Sequence, residues 1–215
     1  MTGPIGVVAG SPVDARFGVE YLTARGLRAA PYPTAEDPAG QSALQILPES
    51  ERYALVRGVF RRAMGDGMGA IMVYCNSLSS TVDIDAMSAE LGIKAVTPLH
   101  VYSKLAALHN ALGILAGNCQ GLAGIERAVW RANPRCEVMG ISLHRAVVAI
   151  EAGEPAAQVA KRCGMADALS LLGKTGVEAV VLGCTHFSYV ALELKKVSAL
   201  SLIDPSEQMC RLLCE

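Results

Sequence analysis

The stretch Ala179-Val180-Val181-Leu182-Gly183-Cys184-Thr185-His186 decides the fold. Its short apolar run, closed by a glycine, reads as a buried strand. A thiol, a hydroxyl and an imidazole follow in consecutive positions. The same order recurs earlier, in Ala70-Ile71-Met72-Val73-Tyr74-Cys75-Asn76-Ser77, where Cys75 stands 109 residues before Cys184. A second match pairs Ile5-Gly6-Val7-Val8-Ala9-Gly10-Ser11 with Leu112-Gly113-Ile114-Leu115-Ala116-Gly117-Asn118, with Ser11 and Asn118 107 residues apart. Two matches at nearly one offset predict a duplicated unit.

Working outward, strands alternate with helical stretches. Strands are expected at 5–9, 27–32, 70–74, 93–96, 112–116, 137–141, 177–182 and 200–203. Ser11-Pro12 opens a helix, with Ser as cap and Pro at the first helical position. Residues 33–46 read as loop, rich in Pro, Asp, Gly and Ser. Helices are expected at 48–64, 81–91, 98–109, up to Arg131 after the fifth strand, and 186–197. Two more fill 144–174. Asp204-Pro205-Ser206-Glu207 starts a last helix. This alternation predicts an α/β fold of two pseudo-symmetric three-layer αβα lobes with mostly parallel sheets. The expected division is 1–97 plus 188–215 for the first lobe and 98–187 for the second. Ligands bind beyond the carboxyl ends of parallel strands. If the lobes face each other, Cys75 and Cys184 approach one cleft from opposite sides.

Bulk properties exclude several classes. The chain has 215 residues, 18% of them charged, with a formal net charge of −1. Lys and Arg are spread without a basic block, so nucleic acid is not an expected partner. No apolar run approaches a membrane span, and no membrane partner is expected. Met1 to Gly10 does not read as a signal peptide. Seven cysteines form no CxxC pattern, so disulfides are not expected and a reducing cytoplasm is the default location.

Each marked cysteine ends a strand where the next helix begins. Backbone N–H groups there favour a thiolate and an anionic ligand. A free thiol titrates near pH ~8.5, so modest tuning makes it a proton donor or acceptor near neutrality. One cysteine at a strand end is ordinarily core filler; the matched pair argues for chemistry. Two thiols supply a base for one face of a substrate α-carbon and an acid for the other. Without an electron sink, the carbanion needs preorganised hydrogen bonds and exclusion of water.

At these residues the sequence resembles the aspartate/glutamate racemase superfamily. Cys75-Asn76-Ser77 resembles its first cysteine motif, Cys-Asn-Thr, and Gly183-Cys184-Thr185-His186 resembles its second, Gly-Cys-Thr-His. Ile5-Gly6-Val7 and Ile203-Asp204-Pro205-Ser206 fit the family layout. The resemblance implies a cofactor-independent amino-acid racemase without pyridoxal phosphate, acting on aspartate or glutamate in a cleft between two lobes. It implies that Cys75 and Cys184 are the acid/base pair, assisted at Cys184 by His186. It implies that Asn76, Ser77 and Thr185 bind the carboxylate and amino group, with Ser11 near the substrate. A homodimer is kept as the candidate assembly. Two features depart from glutamate racemases. Ala9-Gly10-Ser11 stands where they carry Asp-Ser-Gly, so an acidic helper for Cys75 is missing, and no Pro-Tyr-Gly loop is recognisable between Pro33 and Ser50. Arg52 is a candidate for a side-chain carboxylate, weighed against a solvated helix-face arginine. Two alternatives stay open: a maleate-isomerase-like or decarboxylase-like enzyme of the same superfamily, and a non-catalytic amino-acid binder.

The remaining motifs are mute. His100, His109 and His144 show no ligand spacing, so no metal is assigned. Cys119, Cys136 and Cys163 read as packing. Cys210 and Cys214, four apart, read as one helix face. Trp130 reads as packing or interface. No GxGxxG run follows the first strand.

Overall fold

The computed structural model describes residues 3–215. Strands β1 (Ile5–Ala9), β2 (Ala29–Pro33), β3 (Ala70–Val73) and β4 (Lys94–Val96) form one sheet in the order β2-β1-β3-β4. Strands β5 (Ala111–Ala116), β6 (Glu137–Ser142), β7 (Ala179–Gly183) and β8 (Ser201–Ile203) form a second, in the order β6-β5-β7-β8. Numbered from its own start, each sheet runs 2-1-3-4, and every paired strand is parallel. The registers repeat as well: Val8 lies opposite Val73 and Ala116 opposite Gly183. Strands β1, β3 and β7 are buried along their whole length, as expected where helices cover both faces.

Helices α1 (Pro12–Thr23), α2 (Pro38–Ile46), α3 (Glu49–Gly65), α4 (Asn76–Thr81), α5 (Ile84–Leu91) and α6 (Pro98–Ala106) occupy the first half. Helices α7 (Cys119–Ala132), α8 (His144–Glu151), α9 (Ala156–Arg162), α10 (Met165–Gly173), α11 (Ala191–Val197) and α12 (Ser206–Cys214) follow, with a 3-10 segment at Thr185–Val190. The starts are written in local chemistry. Ser11 Oγ accepts the Asp14 N–H at 3.1 Å, Asp37 Oδ1 that of Gly40 at 2.7 Å, and Asn118 Oδ1 that of Gly121 at 2.9 Å. Each satisfies a backbone donor left open in the first turn.

Four expectations change. Residues 33–46 are not all loop: Asp37-Pro38 repeats the cap-then-proline start of Ser11-Pro12 and launches α2. The helix expected at 81–91 is two, because Asp83 caps a fresh start through the Ala86 N–H at 2.9 Å. Region 144–174 holds three helices, interrupted by Gly153 and Gly164 at positive φ, where glycine is conformationally free. The helix expected from His186 begins as a 3-10 segment at Thr185.

The chain divides into two compact units: the described residues up to Pro98 with Ser206–Glu215, and Leu99–Pro205. The expected boundary gave 188–205 to the first lobe. Their place is in the second unit, because β8 hydrogen-bonds to β7 and α11 packs on the 3-10 segment, α9 and α10. Only α12 returns to the first unit. There Tyr74 Oη and Ser206 Oγ meet at 3.0 Å, and Lys94 Nζ donates to the Leu213 carbonyl at 3.5 Å.

One packing detail distinguishes the repeats. In the first unit, Gly18 on α1 lets the ring of Tyr74 through; a Cβ at 18 would lie 3.1 Å from that ring and 2.6 Å from Val7. In the second, the bulk sits on the helix. A Cβ at Gly183 would stand 2.5 Å from Ile125 on α7. Gly18 and Ile125 are 107 residues apart, Tyr74 and Gly183 109. Equivalent helix and strand positions have exchanged large for small.

Candidate active site

In each sheet the order reverses beside the first strand, so the two central strands open a crevice at their carboxyl ends, where open α/β sheets bind ligands. In the first unit this point lies between β1, ending in Gly10-Ser11, and β3, ending in Tyr74-Cys75. In the second it lies between β5, ending in Gly117-Asn118, and β7, ending in Cys184. Sheet topology thus brings both predicted cysteines to equivalent positions.

Cys75 is buried, 2% exposed, and precedes the first turn of α4. Gln41 Nε2 on α2 donates to its Sγ at 3.0 Å and to Ser77 Oγ at 3.2 Å. Gln45 Nε2, one turn on, donates to the same Ser77 Oγ at 2.8 Å. Ser77 Oγ lies 3.5 Å from Cys75 Sγ. Gly10 makes room for this network: a Cβ there would fall 2.2 Å from the Gln41 carboxamide. Asn76 and Ser77 are buried beside the thiol, as is Ser11, which caps α1.

Cys184 has a different environment. His186 Nδ1 lies 3.7 Å from its Sγ, and His186 Nε2–H donates to Glu151 Oε1 at 2.6 Å. The imidazole is 2% exposed and the carboxylate 12%. The carboxylate fixes the proton on Nε2, which turns Nδ1 toward the sulfur. This is the thiol–imidazole–carboxylate arrangement that moves a proton on and off sulfur. Gly117 gives Cys184 its place, since a Cβ there would stand 2.7 Å from Sγ. Thr185 is buried between Cys184 and His186.

Arg52 is engaged elsewhere. Its Nε donates to the Thr81 carbonyl at 3.0 Å and its Nη1 to the Leu47 carbonyl. It clasps the ends of α4 and α2.

Sequence reasoning missed Gln41, Gln45 and Glu151. The two glutamines were recoverable, since Asp37-Pro38 announces α2 and a four-residue spacing puts both on one face. Glu151 lies 35 residues before His186, and no local pattern joins them. Among the described residues, no three His, Cys, Asp or Glu side chains are grouped to hold a metal ion. Nor is any described helix long and apolar enough to cross a membrane.

Fold and site define a two-unit, doubly wound α/β protein with a cysteine at the same strand end of each unit. The chain belongs to the aspartate/glutamate racemase superfamily. It is 27% identical to a glutamate racemase of Listeria monocytogenes over 126 residues, covering 56% of this chain and 46% of that protein. The chain spans about half the length of the curated relatives it matches. No protein-family model matches it. A glutamate racemase of Francisella tularensis, solved with D-glutamate, superimposes with a TM-score of 0.77 at 21% identity, covering 99% of this chain and 80% of that one. An aspartate racemase homologue from Pyrococcus horikoshii superimposes with a TM-score of 0.70 at 13% identity, covering 99% and 98%.

Proposed function

We propose that this chain is a cofactor-independent racemase of an acidic amino acid. Cys75 and Cys184 act as a base/acid pair, and glutamate is the first substrate to test. The observation that carries the reading is the equivalence of the two thiols: each ends the same strand of its sheet and each has its own polar support. In one direction the Cys75 thiolate takes the α-proton, leaving a carbanion. The proton held by Cys184 and His186 is then delivered to the other face. The reverse direction exchanges the roles. Racemisation requires the two thiols to serve opposite faces of one α-carbon. Asn76, Ser77, Thr185 and Ser11 are the candidate hydrogen-bonding partners of the α-carboxylate and amino group. Their donors would offset charge developing on the carboxylate as the proton leaves. The cytoplasm is the proposed location.

Glutamate follows from the relatives with sequence similarity. Aspartate is the second candidate, because the chain matches nearly the whole length of the aspartate racemase homologue. The deciding experiment is proton NMR in deuterated water with D- and L-glutamate and D- and L-aspartate. Loss of the α-proton signal from both enantiomers of one amino acid is expected, abolished in Cys75→Ser and in Cys184→Ser. Exchange surviving either substitution would dismiss the two-thiol mechanism. Binding without exchange would turn the reading toward an amino-acid binder.

A further inference from the structure

The two thiols are supported by groups of opposite protonic character. Around Cys184 the support is an imidazole, which can store a proton: with Nε2–H committed to Glu151, Nδ1 receives the thiol proton or returns it. Around Cys75 the nearby groups on α2 and α4 are amides and a hydroxyl, which do not titrate near neutrality. Gln41 Nε2 gives its hydrogens to Cys75 Sγ and Ser77 Oγ. Gln45 Nε2 gives a further one to Ser77 Oγ. With both lone pairs of that hydroxyl taken up, its own hydrogen is free to point at Cys75 Sγ, 3.5 Å away. The sulfur thereby gains two donors, Gln41 N–H and Ser77 O–H. Donors aimed at an ionisable group favour its anionic form.

We propose that Gln41 is a positioning residue that, with Ser77 and Gln45, holds Cys75 as a thiolate in the resting protein. The transferable proton then resides on the Cys184–His186 side. The inference deepens the racemase reading and rests on it for its catalytic meaning, since it makes Cys75 the resting base and Cys184 the resting acid. It also supplies what Gly10 lacks. The loop after β1 carries no acid, and the space above Gly10 is filled by an amide donor.

The test is the pH profile of thiol alkylation by iodoacetamide, followed separately at Cys75 and Cys184 by peptide mass spectrometry. Each profile is scaled to its own plateau, so that altered access does not enter. In Gln41→Met, which keeps the shape and removes the donor, the Cys75 midpoint should rise by about one pH unit, a tenfold loss of thiolate below it. In Gln41→Glu, which puts an acceptor and a negative charge in the same space, it should rise further. Gly10→Ala displaces the Gln41 carboxamide from the other side and should move the midpoint the same way. The Cys184 profile should stay in place throughout. A Cys75 midpoint indifferent to all three variants overturns the proposal, as does an equal shift at Cys184. The readout needs no substrate. If no amino acid loses its α-proton yet the Cys75 midpoint moves as stated, the racemase reading falls and the thiolate assignment stands.

Discussion

His186 Nε2 lies 2.6 Å from Glu151 Oε1, joining the last residue of α8 to the segment that follows β7. The contact sets which ring nitrogen faces Cys184 and balances the charge of an imidazolium when one forms. Glu151→Gln keeps the size of the partner and removes its charge. Turnover should fall by roughly 10²-fold, with KM little changed because Glu151 does not reach the substrate. Steady-state racemisation by circular dichroism checks this. An unchanged kcat would reduce Glu151 to packing.

Gly117 tests how tightly the second thiol is placed. Its Cβ would stand 2.7 Å from Cys184 Sγ and 3.0 Å from Val147. Its backbone has no positive φ, so alanine strains the contact rather than the chain. Gly117→Ala should fold and lose activity by on the order of 10²-fold, the usual result of moving a reacting group by about an ångström. A melting curve beside the activity assay separates a displaced thiol from an unfolded protein.

Arg52 can be assigned by the same pairing of measurements. As a clasp on the Leu47 and Thr81 carbonyls, it should cost about 1–3 kcal/mol when replaced by alanine, seen as a melting temperature several degrees lower. As a ligand for a substrate side-chain carboxylate, it should raise KM and leave the melting temperature in place. The hydrogen bonds favour the first outcome.

Glu90 gives a pH signature independent of the site. The Tyr53 hydroxyl, 2.8 Å away, holds its carboxyl below the ordinary value of 4.5 against the opposing pull of desolvation, and Arg57 at 2.5 Å adds to the lowering. A lowered carboxyl pKa contributes stability above the unfolded value and loses it as pH falls through the folded one. Tyr53 is raised above 10.0, chiefly by the bond to Glu90, so its contribution holds below that value and fades in strong alkali. Glu90→Gln should therefore melt below the parent at pH 7, by no more than about 2 °C for so exposed a cluster. The gap should close as the solution is acidified past the carboxylate range. A constant gap across that range would show the charge to be irrelevant.

The features legible in the sequence were those written in adjacent residues. The strand runs at 5–9, 70–73 and 179–183 were visible because buried parallel strands are continuous apolar runs. Their common offset gave the duplication before any contact was known. The Cys184–His186 pairing was visible because two residues separate them. Helix α2 was overlooked although Asp37-Pro38 signals it, because the Pro, Gly and Ser content of 33–46 outweighed the cap. With α2 went Gln41 and Gln45. Glu151 was hidden for another reason: it reaches His186 only through the packing of α8 on the segment after β7. The lobe boundary was misplaced because β8 was not assigned to the second sheet.

The exchange of Gly18 and Tyr74 for Ile125 and Gly183 has a consequence for anyone dissecting the molecule. The halves share an ancestral plan but are no longer interchangeable parts. Grafting α7 onto the first sheet would drive an isoleucine against a tyrosine, and grafting α1 onto the second would leave two glycines facing a void. Either residue of a pair changed alone breaks the seam that the other was shaped to fit. A chimera of the repeats must therefore transplant each helix position together with its partner strand position, as a single unit of design.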